Sequence, residues 1–302
     1  MPELPEVETI ARGLASGADN LLGRRVTRAR VTWKRTVAKP SAAEFERRIV
    51  GQTVTSVGRR GKFVRIDFDK DTLLIHLRMS GDLLTGYSHE PLGTHSRLQI
   101  WFEDANPYPR PLPLEKGEGR SLRGETPPPL QLSFQDPRKF GRVWLVADAE
   151  SVLGALGPEP MDAALTPARF HQMLAAKKRQ LKPLLLDQTF LAGLGNIYVD
   201  EALWEARLHP LTAASKVSNQ QAGALLRGIR KVLKAGIRRN GASIDWVYRG
   251  GEYQNHFKVY QRDGEPCPRC GAKIKRIVLG QRGTHFCPRC QRITKRHSQL
   301  DQ

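Results

Sequence analysis

The chain has 302 residues, 39% of them hydrophobic, which suits about two soluble domains of ~150 residues, each with its own core. No apolar run is long enough to cross a bilayer, and the N-terminus lacks the pattern of a secretory signal, so no membrane role is expected and the protein reads as intracellular. The net charge of +19 is uneven: residues 227–302 carry 18 basic and 5 acidic side chains, residues 1–226 carry 31 and 25. A basic C-terminal quarter is what a phosphate backbone attracts, although a solvated basic face or affinity for anionic lipid would give the same count.

Glu3 to Ala18 predicts a helix, with Val7, Ile10, Ala11 and Leu14 as its buried stripe. Strand character follows at 26–33, 53–57, 63–68, 72–77, 97–102 and 130–134; Val64, Ile66 and Phe68 alternate with charged residues. Ser41 and Glu44 form a capping-box pattern that predicts a short helix between the first strands. Residues 104–129 hold seven prolines and read as an insertion in a hairpin, without a ladder of its own. Past Gly141–Val146 the pattern turns helical: 167–176 behind the Thr166-Pro167 start, 196–206, and 219–239 behind Ser218 and Gln221. The expected class is α+β: an N-terminal β-sandwich with a leading helix (1–148), a linker (149–165), a helical domain (166–255) and a small cysteine module (256–302).

Three features carry chemistry. The chain starts Met1-Pro2-Glu3-Leu4-Pro5-Glu6. If Met1 is removed, Pro2 presents a secondary amine that can attack a sugar carbon and form an iminium. A proline at a helix start is also the plain structural use of that residue. Leu191 to Tyr198 is a glycine-containing turn opening a helix, whose free N–H groups and dipole suit a phosphate, with the Asn196 amide beside them. Cys267-x2-Cys270 and Cys287-x2-Cys290, sixteen residues apart, suit one tetrahedral structural Zn²⁺; two disulfides or a redox pair are the alternatives.

Taken together, PELPEVET at the N-terminus, GRRGKF at 58–63, HLRMSG at 76–81, DPRKFG at 136–141, LLLDQTFLAGLGNIYVDEALW at 184–204 and the four-cysteine finger with GQRGTHFCPRCQ resemble the formamidopyrimidine-DNA glycosylase family of bacterial repair enzymes. The resemblance runs over nearly the whole chain. It implies a helix-two-turn-helix domain around Gly193–Asn196, a zinc finger, a DNA-binding cleft between the two domains, and a damaged base flipped out of the duplex.

The resemblance also implies residue roles. Pro2 is the nucleophile, Glu3 the general acid/base, and Glu6 a supporting carboxylate. Lys62 holds a phosphate near the lesion and assists catalysis, with Arg282 on the zinc hairpin nearest the lesion. Met79, Arg138 and Phe140 fill the space left by the flipped nucleotide. His76, Lys182, Asn196 and Tyr260 contact the DNA backbone, and residues 239–254 match a loop over the flipped base. His95-Ser96-Arg97 departs from the family pattern where a second histidine is common, which leaves the His95 contact open; Gln261 stands where glycine is common. The expected partner is duplex DNA with oxidised or abasic sites, bound by a monomer in the bacterial cytoplasm at the nucleoid. The expected chemistry is removal of oxidised purines followed by β,δ-elimination. A sister specificity for oxidised pyrimidines and a non-catalytic DNA-binding protein remain the alternatives.

Overall fold

The computed structural model describes residues 2–88, 92–103, 129–243 and 250–293. Its backbone falls into two compact units, one of residues 1–2, 10–59 and 63–152, the other of residues 3–9, 60–62 and 153–302. All but the last residue of the Pro-rich expectation at 104–129, and residues 244–249 of the 239–254 loop, lie outside the described residues.

The first unit holds two sheets. In chain order the strands are β1 (Val26–Val31), β2 (Val37–Lys39), β3 (Val54–Arg60), β4 (Phe63–Phe68), β5 (Thr72–His76), β6 (Asp82–Tyr87), β7 (Ser96–Phe102), β8 (Leu130–Gln135) and β9 (Arg142–Val146). One sheet runs β1-β7-β8-β6, the other β2-β9-β5-β4-β3; the short β2–β9 pair is parallel. Cross-strand pairs Leu98↔Phe134, Ile100↔Leu132 and Phe102↔Leu130 put one continuous apolar face into the core. β4 alternates as its sequence requires, with Val64, Ile66 and Phe68 buried, whereas β5 is buried at every position.

Helix α1 (Leu4–Ser16) is shorter than the expected 3–18, because the chain turns at Gly17, whose N–H bonds back to Gly13. Helix α2 (Ala42–Ile49) is capped by the Ser41 hydroxyl, which accepts the Glu44 N–H. The expected first strand stops at Val31. β2 and β6 were not anticipated: β2 is three residues long, and β6, a sheet-edge strand, has no clean inside–outside alternation.

The second unit is helical. Its helices are α4 (Pro167–Ala175), α5 (Leu181–Leu185), α6 (Asn196–Glu205) and α7 (Asn219–Arg238); a short α3 (Glu150–Leu153) precedes them, most of it in the first unit. Thr166 caps α4, and Ser218 with Gln221 makes both bonds of a capping box at α7. α5 escaped the sequence reading because five residues show no period. Leu4, Phe170, Leu185, Leu203, Leu225 and Ile229 belong to one buried cluster around which these helices pack. A hairpin of β10 (Lys275–Leu279) and β11 (Arg282–Phe286) lies between the two cysteine pairs and contacts α6. Among the described residues no helix is long and apolar enough to cross a membrane.

Candidate active site and nucleic-acid interface

The first turn of α1 meets the N-terminus of α6 through two glycines. Gly193, at φ +101, sits so close to Leu4 that a Cβ would lie 2.6 Å from its Cδ1, and its carbonyl accepts the Leu4 N–H at 3.0 Å. A Cβ on Gly195 would overlap the Glu3 carboxyl group. The space is filled by that carboxyl group. Glu3 Oε2 accepts N–H groups of Gly195 at 2.7 Å and Tyr198 at 3.4 Å, and Oε1 accepts that of Ile197 at 3.0 Å. Helix α6 has no cap of its own, since its N-cap is Gly195; Glu3 supplies one from 192 residues away. Three of the N–H groups at this helix start, those of Gly195, Ile197 and Tyr198, are therefore already bonded to Glu3.

Glu3 is 2% exposed. Burial raises its pKa, and Lys62 and the α6 amides pull the other way without overcoming it. Glu6, equally buried, accepts the Glu3 N–H at 2.8 Å on Oε2, and the Tyr198 hydroxyl at 2.9 Å and the Ala242 N–H at 2.7 Å on Oε1. Burial, then the Glu3 charge, push Glu6 up to about 7. Here too glycines make the room: a Cβ on Gly241 would lie 2.6 Å from Glu6 Oε1, and one on Gly236 2.6 Å from the Tyr198 hydroxyl. The Tyr198 ring stacks on Tyr253 at 5.3 Å.

Lys62 is 5% exposed. Burial lowers its pKa, Glu3 and Glu6 raise it, and Arg282 lowers it again. Lys182 is fully buried; its Nζ donates to Asp200 Oδ1 at 2.6 Å and to the Gly283 carbonyl at 2.9 Å. Its pKa is also lowered by burial, against the pull of Asp200, with Arg282 lowering it further. Arg282 thus repels both Lys62 and Lys182, and Lys182 is paired with Asp200. Asn196 Nδ2 donates to the same Gly283 carbonyl at 3.0 Å, and its Oδ1 is buried without a partner.

Two adjacent acids of α6 seat the C-terminal module. Asp200 Oδ2 accepts the His285 N–H at 2.9 Å. Glu201 accepts the N–H groups of Lys258, Val259 and Tyr260 within 3.0 Å. The Tyr260 ring then meets His285 edge-on at 5.2 Å. The sequence reading missed Tyr198, Asp200 and Glu201 as functional residues; an Asp-Glu pair inside an apolar helix was the available signal.

The Sγ atoms of Cys267, Cys270, Cys287 and Cys290 lie within 4.8 Å of one another. Thiolates at ~2.3 Å from a tetrahedral Zn²⁺ would stand ~3.8 Å apart, so the cluster fits one ion. The Cys270–Cys287 separation of 3.4 Å is far beyond a disulfide bond, and all four cysteines are free. The Trp204 indole donates to Cys267 Sγ and the Cys290 N–H to Cys287 Sγ, both at 3.4 Å, as suits ligand thiolates.

In the first unit, Met79 and Phe140 are 41% and 47% exposed. Arg138 lies over the Phe140 ring at 5.1 Å. His76 is buried against Phe63, and its Nδ1 accepts the Arg78 N–H at 3.1 Å. His95 is exposed and anchored by its backbone to Gln135, while Arg97 Nε donates to the Asp136 carbonyl at 2.8 Å. Pro2 is buried and directly precedes Glu3.

Comparison with known proteins agrees with this arrangement. Family models match in order: formamidopyrimidine-DNA glycosylase N-terminal domain at residues 1–143, the H2TH domain of the same enzymes at 156–247, and a zinc finger found in FPG and IleRS at 264–293. A formamidopyrimidine-DNA glycosylase of Roseiflexus sp. is 42% identical over 97% of this chain and all of its own length. One of Protochlamydia amoebophila is 38% identical with the same coverage. Among solved structures, MutM with carbocyclic 8-oxo-G-containing DNA superposes with a TM-score of 0.81 at 33% identity, covering 97% of this chain and 100% of that one. Lactococcus lactis Fpg with N7-benzyl-Fapy-dG DNA gives 0.82 at 32% with the same coverage.

Proposed function

Because this chain belongs to the formamidopyrimidine-DNA glycosylase family, we propose that it is a base-excision repair enzyme that removes oxidised purines from duplex DNA and then cuts the strand. The observation that carries this is the Glu3 carboxyl group: one residue after Pro2, buried, fixed by the N–H groups of Gly195, Ile197 and Tyr198, and with its pKa raised.

The Pro2 amine, freed by removal of Met1, attacks C1′ of the deoxyribose as the N-glycosidic bond breaks and the base leaves with a proton. Opening of the sugar ring leaves a C1′ iminium on Pro2. That iminium accepts the electrons of the C2′–H bond. Loss of the C2′ proton expels the 3′ phosphate, and a second elimination expels the 5′ phosphate. Glu3 exchanges protons with the sugar. Its Oε1 accepts a single N–H and so keeps a lone pair for one, and burial favours the protonated form. Glu6 fixes the backbone of Glu3.

Lys62, Lys182, Arg282 and Asn196 hold phosphates, with His76, His95 and Tyr260 contributing to backbone contacts. Met79, Arg138 and Phe140 enter the helix where the damaged nucleotide leaves; their exposure supports this. A single Zn²⁺ on the four cysteines keeps the β10–β11 hairpin folded. The working divisions are 1–148, 149–165, 166–255 and 256–302, in a monomer located in the bacterial cytoplasm at the nucleoid.

The test is nicking of duplexes with a single 8-oxoguanine or thymine glycol. Faster cutting of the 8-oxoguanine strand, leaving phosphate at both ends of the gap, is expected. Faster cutting at thymine glycol would overturn the purine assignment.

A further inference from the structure

Met79 and Phe140 sit on separate loops, and each follows a residue with an unfavourable backbone. Arg78 has φ +57 and Lys139 has φ +61, a region that side chains with a Cβ rarely adopt. Two exposed apolar side chains, each behind a strained residue, need something to hold them out. One carboxyl group joins both loops. Asp136 Oδ1 accepts the hydroxyl of Ser80, the neighbour of Met79, at 2.5 Å. Asp136 Oδ2 accepts the N–H of Gly141, the neighbour of Phe140, at 2.6 Å. The Ser80 oxygen in turn faces the Arg138 N–H at 3.4 Å.

The Asp136 backbone is equally engaged. Its carbonyl accepts Arg97 Nε at 2.8 Å, and its N–H donates to the His95 carbonyl at 3.0 Å. Asp136 and Ser80 are 0% and 1% exposed, so water does not compete for these bonds. The Phe134 ring packs under both loops: a Cβ on Gly81 would lie 2.8 Å from it, and one on Gly141 would overlap it. Both glycines therefore lie directly against that ring.

We propose that Asp136 and Ser80 are positioning residues that lock the Met79 and Arg138–Phe140 loops in the projecting arrangement before DNA is bound. The inference rests on the wedge role given to those three residues above. Both positioning residues are buried in the protein and act through the loops they join. Their contribution is that the strained turns exist already in the free protein, so that less ordering is required when the duplex is opened.

The experiment uses the full chain, with Ser80→Ala, Ser80→Thr and Asp136→Asn, after circular dichroism and zinc content show folded protein. Two readouts are compared. One is the rise in 2-aminopurine fluorescence, with that base opposite an 8-oxoguanine, when protein opens the duplex. The other is borohydride trapping on a single-stranded abasic oligonucleotide, which has no partner strand to wedge. Losing one buried bond to a charged group should lower the ratio of duplex excision to single-strand trapping roughly tenfold in Ser80→Ala and Asp136→Asn. The 2-aminopurine signal should fall with it, and Ser80→Thr, which keeps the hydroxyl, should restore both. An unchanged ratio, or equal loss on both substrates, would overturn the positioning role. Absence of any trapping by the wild-type protein would instead refute the functional reading on which it rests.

Discussion

Glu3 and Gly195 form one unit although 192 residues separate them: the Glu3 carboxyl group accepts the Gly195 N–H at 2.7 Å and occupies the volume that any side chain at 195 would need. The first acid after the proposed nucleophile is thereby the N-terminal cap of α6, a helix of the region that matches the H2TH domain. The dipole and amides of α6 favour ionisation and burial opposes it, and burial wins.

Gly195→Ala tests that packing. Its Cβ would displace the Glu3 carboxyl group and strand buried N–H groups, at a cost of about 2–4 kcal/mol. Urea unfolding should show this loss, and strand cutting should fall more steeply than affinity for an abasic duplex. Wild-type stability in Gly195→Ala would contradict the packing.

Glu6 makes the protein's stability depend on pH in a defined direction. Its pKa rises from 4.5 unfolded to about 7 folded, so the folded state binds the proton more tightly. That contribution is complete below pH 4.5 and is lost as pH rises through 7. Relative to Glu6→Gln, which does not titrate, the wild-type protein should lose roughly 3 kcal/mol or less between those limits. Denaturant midpoints of the two proteins from pH 4.5 to about 7, the range between these pKa values, are the measurement. A constant difference between them would contradict the shift.

Lys62 should trade stability for function. Burial outweighs the pull of Glu3 and Glu6 on its charge, so the neutral form is favoured relative to water. Lys62→Met, of similar length and uncharged, should raise stability by about 0.5–2 kcal/mol while weakening cutting at least tenfold. A thermal melt and a nicking assay on one preparation decide this.

Removal of zinc, by chelation or Cys287→Ser, should release the β10–β11 hairpin. The Gly283 carbonyl that holds both Lys182 and Asn196 would leave with it. Affinity for an abasic duplex should fall by about tenfold or more, with a shallower salt dependence, because phosphate contacts are lost. Unchanged affinity after verified metal loss would remove the finger from the interface.

What could be read from the sequence was local or carried by resemblance. The alternation of β4, the caps of α4 and α7, and the paired cysteines each announce themselves within a few residues. The motif order announced the family. Relationships between distant residues left no local trace. Nothing near Glu3 indicates that it caps α6, and nothing in DPRKFG says that its Asp joins Ser80. The glycines at 193 and 195 were legible as a turn at a helix start, and their N–H groups were assigned to a phosphate. Only packing reveals that the Gly195 N–H serves the protein's own Glu3 carboxyl group and the Gly193 N–H the Gln188 side-chain oxygen.

The central claim is a covalent intermediate on the N-terminal amine. Borohydride trapping on an abasic duplex, followed by peptide mapping, tests it most directly. An adduct on Pro2 is expected, diminished in Pro2→Gly and in protein retaining Met1, both of which still bind DNA. An undiminished adduct in either protein, or none with the wild type, would contradict it.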